Sequence, residues 1–366
     1  MNLKRISSLV LRIALQFRRD RRTLAMIVVA PIVILSLLSY LVNLNTSPMT
    51  VGVVLEDTSS VGLRLAEEMN DVPMFEVTEI TSEDIDDLIR NGSIEAAVII
   101  PENNAQHLIE QTVSGMKIIV NGSRSRTEST VAQGINFAIN KVLMDAMGIP
   151  LQRPNVTFVY AGSEYEVIDY FAPTFIAFFA FFFTYLLTAI GFLRERTGGT
   201  LERLLASPLT KTEMVLGYIT GFGMFALIQA SVILIFTVYV INIHYAGNVL
   251  IVFLIVAVLA MVAVNMGIFL STFARTELQA VQFIPLVITP QALLAGIFWP
   301  IHDMNIVFQW IAYAMPLTWA NFALQEVMIK GQGIFDVNVV ADVGILLLFA
   351  VVQMVLASIR LRRVSV

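Results

Sequence analysis

The chain has 366 residues, of which 57% are hydrophobic and only 14% charged, with a mean hydropathy of +0.77 and a formal charge of −5. A soluble globular domain is nearer one quarter charged, so this composition excludes an ordinary soluble protein and favours a membrane one. No cysteine is present, which removes disulfide frameworks and cysteine-based zinc or redox sites.

In chain order, residues 1–22 come first as a basic, amphipathic leader. Leu3, Ile6, Val10, Ile13 and Phe17 fall on one helical stripe with Lys4, Arg5, Arg12, Arg18 and Arg19 around it, the pattern of a helix lying in the membrane interface. An apolar run at 24–42 follows, giving a first transmembrane helix over 23–42. The long leader, with no small-x-small site after Val42, predicts a retained signal anchor.

Residues 43–170 are of different material, with 19 acidic and 7 basic residues. VGVVLED (51–57), MFEVTEI (74–80), AAVIIP (96–101) and MKIIVNG (116–122) read as strands. Helices are expected at 60–70, after a Thr81/Asp84 capping box, at 102–114 and at about 127–147. TFVYAG (157–162) leads back to the membrane. The pattern predicts an α/β domain with its own core, and nothing in it is catalytic; His107 is a lone residue on a polar helix. Its roles divide between gating a pathway, contacting substrate or recruiting an outside partner on one side, and a structural cap that helps the subunit dimerise on the other.

Five further uncharged runs, 171–193, 214–243, 249–273, 280–299 and 343–359, are long enough for spans of about 20 residues. Met304–Gln325 is uncharged too, but Asn305, Gln309, Pro316, Thr318 and Asn321 suit a re-entrant or interfacial segment at 300–330. With six spans, fifteen of the 23 basic residues fall on one side, which the positive-inside rule makes the cytoplasm. The expected fold is a polytopic α-helical membrane protein, with six transmembrane helices, cytoplasmic N and C termini, and an inserted extracytoplasmic α/β domain; residues 171–366 hold helices two to six.

Between the second and third spans, residues 194–213 carry seven charges, whose burial in hydrocarbon would cost on the order of 20 kcal/mol. The segment is therefore cytoplasmic. Gly198-Gly199 ends the preceding helix, Thr200 caps a short helix over 201–207, Pro208 stops it, and Thr210 with Glu213 forms a capping box for the third span. Leu201, Leu204 and Leu205 make its apolar face, Glu202 and Arg203 its polar one. Such a stopped and re-capped helix is a rigid knob, fitted to transmit force; its plain alternative is a solvated loop helix.

ERTGGTLERLLASPLTKTE closely resembles the signature between the second and third spans of type-2 ATP-binding-cassette (ABC) exporter permeases, through Glu195, Arg196, Gly199, Thr200, Leu201, Glu202, Arg203, Leu204, Leu205 and Pro208. LLAGIFWPIHDMN and MPLTWANFALQEVMIKG resemble two further family segments, anchored here by Gly296, Phe298, Pro300, Pro316, Leu317, Thr318 and Trp319. The resemblance implies a bacterial inner-membrane half-transporter for a hydrophobic or amphipathic compound such as a drug, antibiotic or lipid. Two permease subunits, alike or different, would each dock a cytoplasmic ABC ATPase on Glu195, Arg196 and the 200–205 helix. ATP and Mg would belong to that ATPase, since this chain has no G-x-x-x-x-G-K-[ST] loop and binds no cofactor of its own. Membrane lipids, and no nucleic acid, complete the expected partners.

The expected spans hold no ionisable residue, which argues against ion coupling. Gln229, Asn265, Gln282, Thr289, Gln291 and Phe298 are the candidates for a transport pathway, against the plainer role of interhelical glue. The rival reading is a membrane-anchored sensor whose outside domain binds a ligand; it predicts no ATPase.

Overall fold

The computed structural model describes residues 3–44, 48–56, 60–72, 75–101, 117–120, 127–146, 160–162, 164–274 and 276–364. The chain divides into two compact units, Leu44–Thr157 and a helical unit made of Met1–Asn43 with Phe158–Val366. Residues 158–170 share the acidic composition of the preceding stretch yet cluster with the helices.

The α/β unit carries β1 (Met49–Leu55), α3 (Ser60–Asn70), β2 (Phe75–Glu79), α4 (Ile85–Arg90), β3 (Ala96–Ile100), β4 (Lys117–Val120) and α5 (Thr127–Ala146). The sheet order is β2-β1-β3-β4, with β1 parallel to both β2 and β3, and β3 antiparallel to β4. Apolar side chains of the sheet point both ways. Val51, Val53, Ala96 and Val98 pack against Leu65 and Met69 of α3 and Val131, Ile135 and Ala138 of α5. Val54 and Ala97 pack against Ile85 of α4 on the opposite face. Burial on both faces explains why these strands read as continuous apolar runs. The expected Thr81 cap is not made: Asp84 holds the N-cap position of α4 and receives the Thr81 hydroxyl instead. The 102–114 helix with His107, and residues 157–159 of the 157–162 stretch, lie outside the described residues.

In the helical unit, α1 (Leu3–Arg19) and α2 (Arg21–Leu44, with Pro31 inside) precede the α/β unit in sequence. After it come α6 (Val167–Thr197), α7 (Thr200–Leu205), α8 (Lys211–Ile235, continued by a π-turn at Phe236–Val240), α9 (Val249–Ser271) and α10 (Glu277–Leu294). A 3₁₀ turn (Ile301–Asp303), α11 (Ile306–Tyr313), α12 (Pro316–Met328) and α13 (Val337–Val364) complete the chain.

Among the described residues, four stretches are long and apolar enough to cross a membrane: Val167–Thr197, Thr212–Val240, Val249–Ser271 and Val337–Ile359. The other two expected spans rest on shorter apolar helices, Val28–Leu41 and Leu278–Leu294. The second of these contains Pro285 and Pro290 and ends at Leu294, because Gly296 takes a positive φ of 81° and turns the chain.

Two helices run past the expected spans 171–193 and 343–359, which themselves hold no ionisable residue, and carry buried acids in their extensions. Asp169 and Glu195 are buried near the two ends of α6, and Asp342 is buried in α13. The helix ends are extended by polar caps. Asp169 accepts the Glu166 N–H at 2.8 Å, and Asp336 accepts the Asn338 N–H at 2.9 Å. The aromatic run of α6 is a packing surface: Phe179, Phe181, Phe183 and Tyr185 are buried, with α6 set against α8, α9, α10 and α12.

Candidate coupling site

Two neighbouring residues at the end of α6 point to different parts of the helical unit. Glu195, 4% exposed, sets Oε2 against Arg12 Nη2 of α1 at 2.8 Å, Thr200 Oγ1 of α7 at 2.8 Å and Tyr218 OH of α8 at 3.3 Å. One buried carboxylate thus joins four helices, and the paired guanidinium offsets its desolvation. Arg196 donates through Nη1 to the carbonyls of Thr272 (2.8 Å) and Ala274 (3.1 Å), satisfying acceptors at the C-terminal end of α9.

Gly198 caps α6, its N–H directed to the carbonyls of Arg194 and Arg196. Gly199, at φ 70°, reverses the chain into α7; a residue with a Cβ would be strained there. Thr200 is not the cap expected from sequence. It is the first residue of α7, and its hydroxyl lies 2.6 Å from the Glu195 carbonyl. α7 is also shorter than expected, ending at Leu205, with Ser207 bonding back to the Leu204 carbonyl at 2.6 Å. The Thr210/Glu213 capping box of α8 is present, with the Thr210 N–H 3.0 Å from Glu213 Oε2 and the Glu213 N–H 3.3 Å from Thr210 Oγ1.

The leader docks on this assembly. Its buried stripe is Leu9, Ile13 and Phe17, at intervals of four; Ile13 and Phe17 belong to the expected stripe and Leu9 does not, Ile6 and Val10 are half-buried, and Leu3, Leu11 and Leu15 are exposed. Leu9 and Ile13 enter the small-residue face of α8. A Cβ on Gly217 would come within 2.5 Å of Leu9, and one on Gly221 within 2.7 Å of Ile13. Phe17 packs on Phe222 and Phe225, with ring centroids at 5.8 and 4.6 Å. Arg5 donates to the Pro208 carbonyl at 2.6 Å and lies 3.8 Å from Glu213. Sequence reasoning passed over this seat; the signal for it is the Gly-x-x-x-Gly spacing of 217–221, which lets helices approach closely.

Leu204 is partly buried against the same cluster, and Arg203 is exposed. The side chains of Leu201, Glu202 and Leu205 lie outside the described ones.

The six pathway candidates do not share one surface. Gln229 is fully buried, accepting from Thr184 at 3.0 Å and donating to the Phe179 carbonyl at 3.3 Å. Asn265 donates to the Ala350 carbonyl at 2.9 Å, and Gln291 accepts the Leu317 N–H at 3.3 Å. Those three join helices. Gln282, Thr289 and Phe298 are exposed.

In the 300–330 segment, Pro300 precedes the 3₁₀ turn and Pro316 opens α12. Thr318 donates to the Ala312 carbonyl at 2.7 Å, and the Trp319 indole to that of Tyr313 at 2.9 Å, folding α12 back on α11. Asn321, which sequence reasoning noted only as polar, is fully buried. It accepts from Thr174 of α6 at 2.6 Å and donates to the Ala295 carbonyl beside Gly296 at 2.9 Å. A second unforeseen tie joins Asp169 to the backbone N–H of His244 (2.9 Å) and its Nδ1 (3.1 Å).

The fold and this site define a multi-pass helical membrane protein with a short rigid helix held between two of its long apolar ones. Residues 21–359 match the family model described as "ABC-2 family transporter protein", and the chain belongs to that family. It is 26% identical to the "Probable multidrug ABC transporter permease YbhS" of Escherichia coli over 95% of this chain and 93% of that protein. It is 25% identical to the "ABC transporter G family member 20" of Dictyostelium discoideum over 87% of this chain, spanning 45% of that longer relative. The "Linearmycin resistance permease protein LnrN" of Bacillus subtilis is 29% identical over 44% of this chain and 41% of its own length.

Proposed function

We propose that this chain is the permease subunit of an ATP-driven exporter in a bacterial inner membrane, moving hydrophobic or amphipathic compounds outward. Family membership supports the transporter class, and the multidrug and linearmycin-resistance names of relatives support the cargo class. One observation carries the mechanism. Because α7 is bound through Thr200 and Glu195 to α1, α6 and α8, a push on it reaches three helices at once.

In this reading α2 and α10 complete six spans, both termini and α7 are cytoplasmic, and the α/β unit is extracytoplasmic. A separate ABC ATPase holds ATP and Mg and contacts the polar side of α7, while a second permease subunit, identical or related, supplies the other half of the pathway. Glu195 and Arg196 serve as internal anchors of the knob, and Arg203, being exposed, is the contact to the ATPase.

Purifying the tagged protein from its native cells in mild detergent tests this. A co-purifying P-loop ATPase that is lost on Arg203→Glu substitution is the expected result. A preparation that retains its fold and lipids but recruits no ATPase and hydrolyses no ATP would refute it.

A further inference from the structure

Beneath the leader lies a cavity of about 200 Å³ that neither the leader nor the knob fills. Its apolar walls include Phe17 of α1, Phe183 and Ile190 of α6, and Phe222 of α8. Gly191 lets the Phe222 ring lie close against α6 at this wall, since a Cβ there would come within 2.8 Å of the ring. The lining follows α6 from Phe183 to Arg194, about 16 Å of helix. The space runs along α6 and is below the roughly 300–1,000 Å³ of pockets for drug-sized molecules, which suits one slender chain.

The polar end carries both signs of charge. Asp20 and Arg194 face each other at 3.8 Å, with 40% and 52% of their side chains exposed, and Gln16 lies beside them. A pair so exposed contributes little to the fold. Glu195 also lines this end, but its carboxylate is engaged by Arg12, Thr200 and Tyr218.

We propose that this cavity binds the single alkyl chain of a zwitterionic amphiphile, its anionic group on Arg194 and its cationic group on Asp20. A purely anionic head would meet Asp20, and a purely cationic one Arg194. The chain would lie against Phe17, beside the Arg12–Glu195 contact, so that occupancy favours the docked leader. That the ligand comes from the inner leaflet rests on the topology proposed above; binding itself does not.

The test uses the full chain in lipid vesicles and a dodecylphosphocholine carrying a diazirine at the end of its alkyl chain. Saturable photolabelling should map to Phe183–Ile190 and Ile13–Phe17, and excess dodecylphosphocholine should compete for it. Leu186→Trp, or Ile190→Trp if the first variant does not fold, should lower labelling about ten-fold, while Leu347→Trp on the exposed face of α13 should not. Asp20→Asn with Arg194→Gln should abolish the preference for the phosphocholine head over a maltoside head. Labelling spread evenly over exposed apolar helices, or indifferent to both tryptophans, would overturn the site. Loss of ATPase recruitment with labelling intact would instead refute the permease reading and leave the cavity standing.

Discussion

Replacing Arg12 by Met keeps the apolar stem of the side chain and removes its charge. Glu195 would then lie buried with only the hydroxyls of Thr200 and Tyr218 as donors. A charge-assisted hydrogen bond contributes about 1.5–3 kcal/mol, and the solvent at the half-exposed Arg12 lowers that toward the bottom of the range. About 1.5–2 kcal/mol corresponds to roughly a 10- to 30-fold shift in the docking equilibrium of the leader. The cysteine-free sequence offers a clean assay. Ser8 and Ser207 line one groove between α1 and the end of the knob, so a Ser8→Cys/Ser207→Cys pair should oxidise to a disulfide when the leader is docked. Arg12→Met should slow that crosslink about ten-fold and uncouple transport from ATP hydrolysis. Glu195→Gln should have the same effect, and adding it to Arg12→Met should cost little more, because the two act as one pair. Unchanged crosslinking in Arg12→Met, or full additivity in the double variant, would refute the argument.

Gly221→Val should displace Ile13 and undock the leader, and Ile13→Ala should restore part of the crosslink; failure of any rescue would place the defect elsewhere. Asn321→Ala leaves the Thr174 hydroxyl and the Ala295 carbonyl without their buried partner, costing about 2–4 kcal/mol. Its expected outcome is faster proteolysis between α10 and α11. Arg196→Gln should loosen the turn at 272–274, seen as faster amide exchange there with the leader crosslink unchanged. Lys141 in the α/β unit hydrogen-bonds Glu68 and Asp71, which raises its pKa above the ordinary 10.5. A raised amine stabilises the fold fully below its unfolded pKa and loses that contribution as pH climbs through the folded value. Pulse proteolysis of the full chain should therefore show this unit weakening above about pH 10.5, and Lys141→Met should remove that step.

The sequence made legible whatever depends on local chemistry. Apolar length marked the four long helices, Gly198-Gly199 the end of α6, and Thr210 with Glu213 the start of α8, because each is decided within a few residues. The partners of long-range polar groups were not legible. Gln229 and Asn265 read equally well as pathway or glue, since only the packed structure supplies the carbonyls of Phe179 and Ala350 that they meet. Thr200 looked like a cap because its spacing fits one; with Gly199 turning the chain it is instead the first helical residue, and its hydroxyl donates to Glu195 rather than accepting a backbone N–H. Of the leader's stripe, Ile13 and Phe17 were legible, while Leu9 was missed and Leu3 wrongly included for a similar reason. Leu3, Ile6 and Val10 are as apolar as Leu9, and only the notches at Gly217 and Gly221 select Leu9 and Ile13.

The adjacency of Glu195 and Arg196 has a mechanical consequence. Successive residues on a helix project about 100° apart, so a carboxylate and a guanidinium in sequence cannot serve the same contact. Here one holds α1, α7 and α8 and the other holds the end of α9. A displacement of α7 therefore acts on α6 at a point where its rotation would pull the two sets of helices in different directions. The binding of these groups to internal partners explains why both signs of charge are needed at a position that sequence alone assigns to a docking surface. On the proposed reading it also separates two functions within this segment: Glu195 and Arg196 would carry force inward, and the exposed Arg203 would receive it.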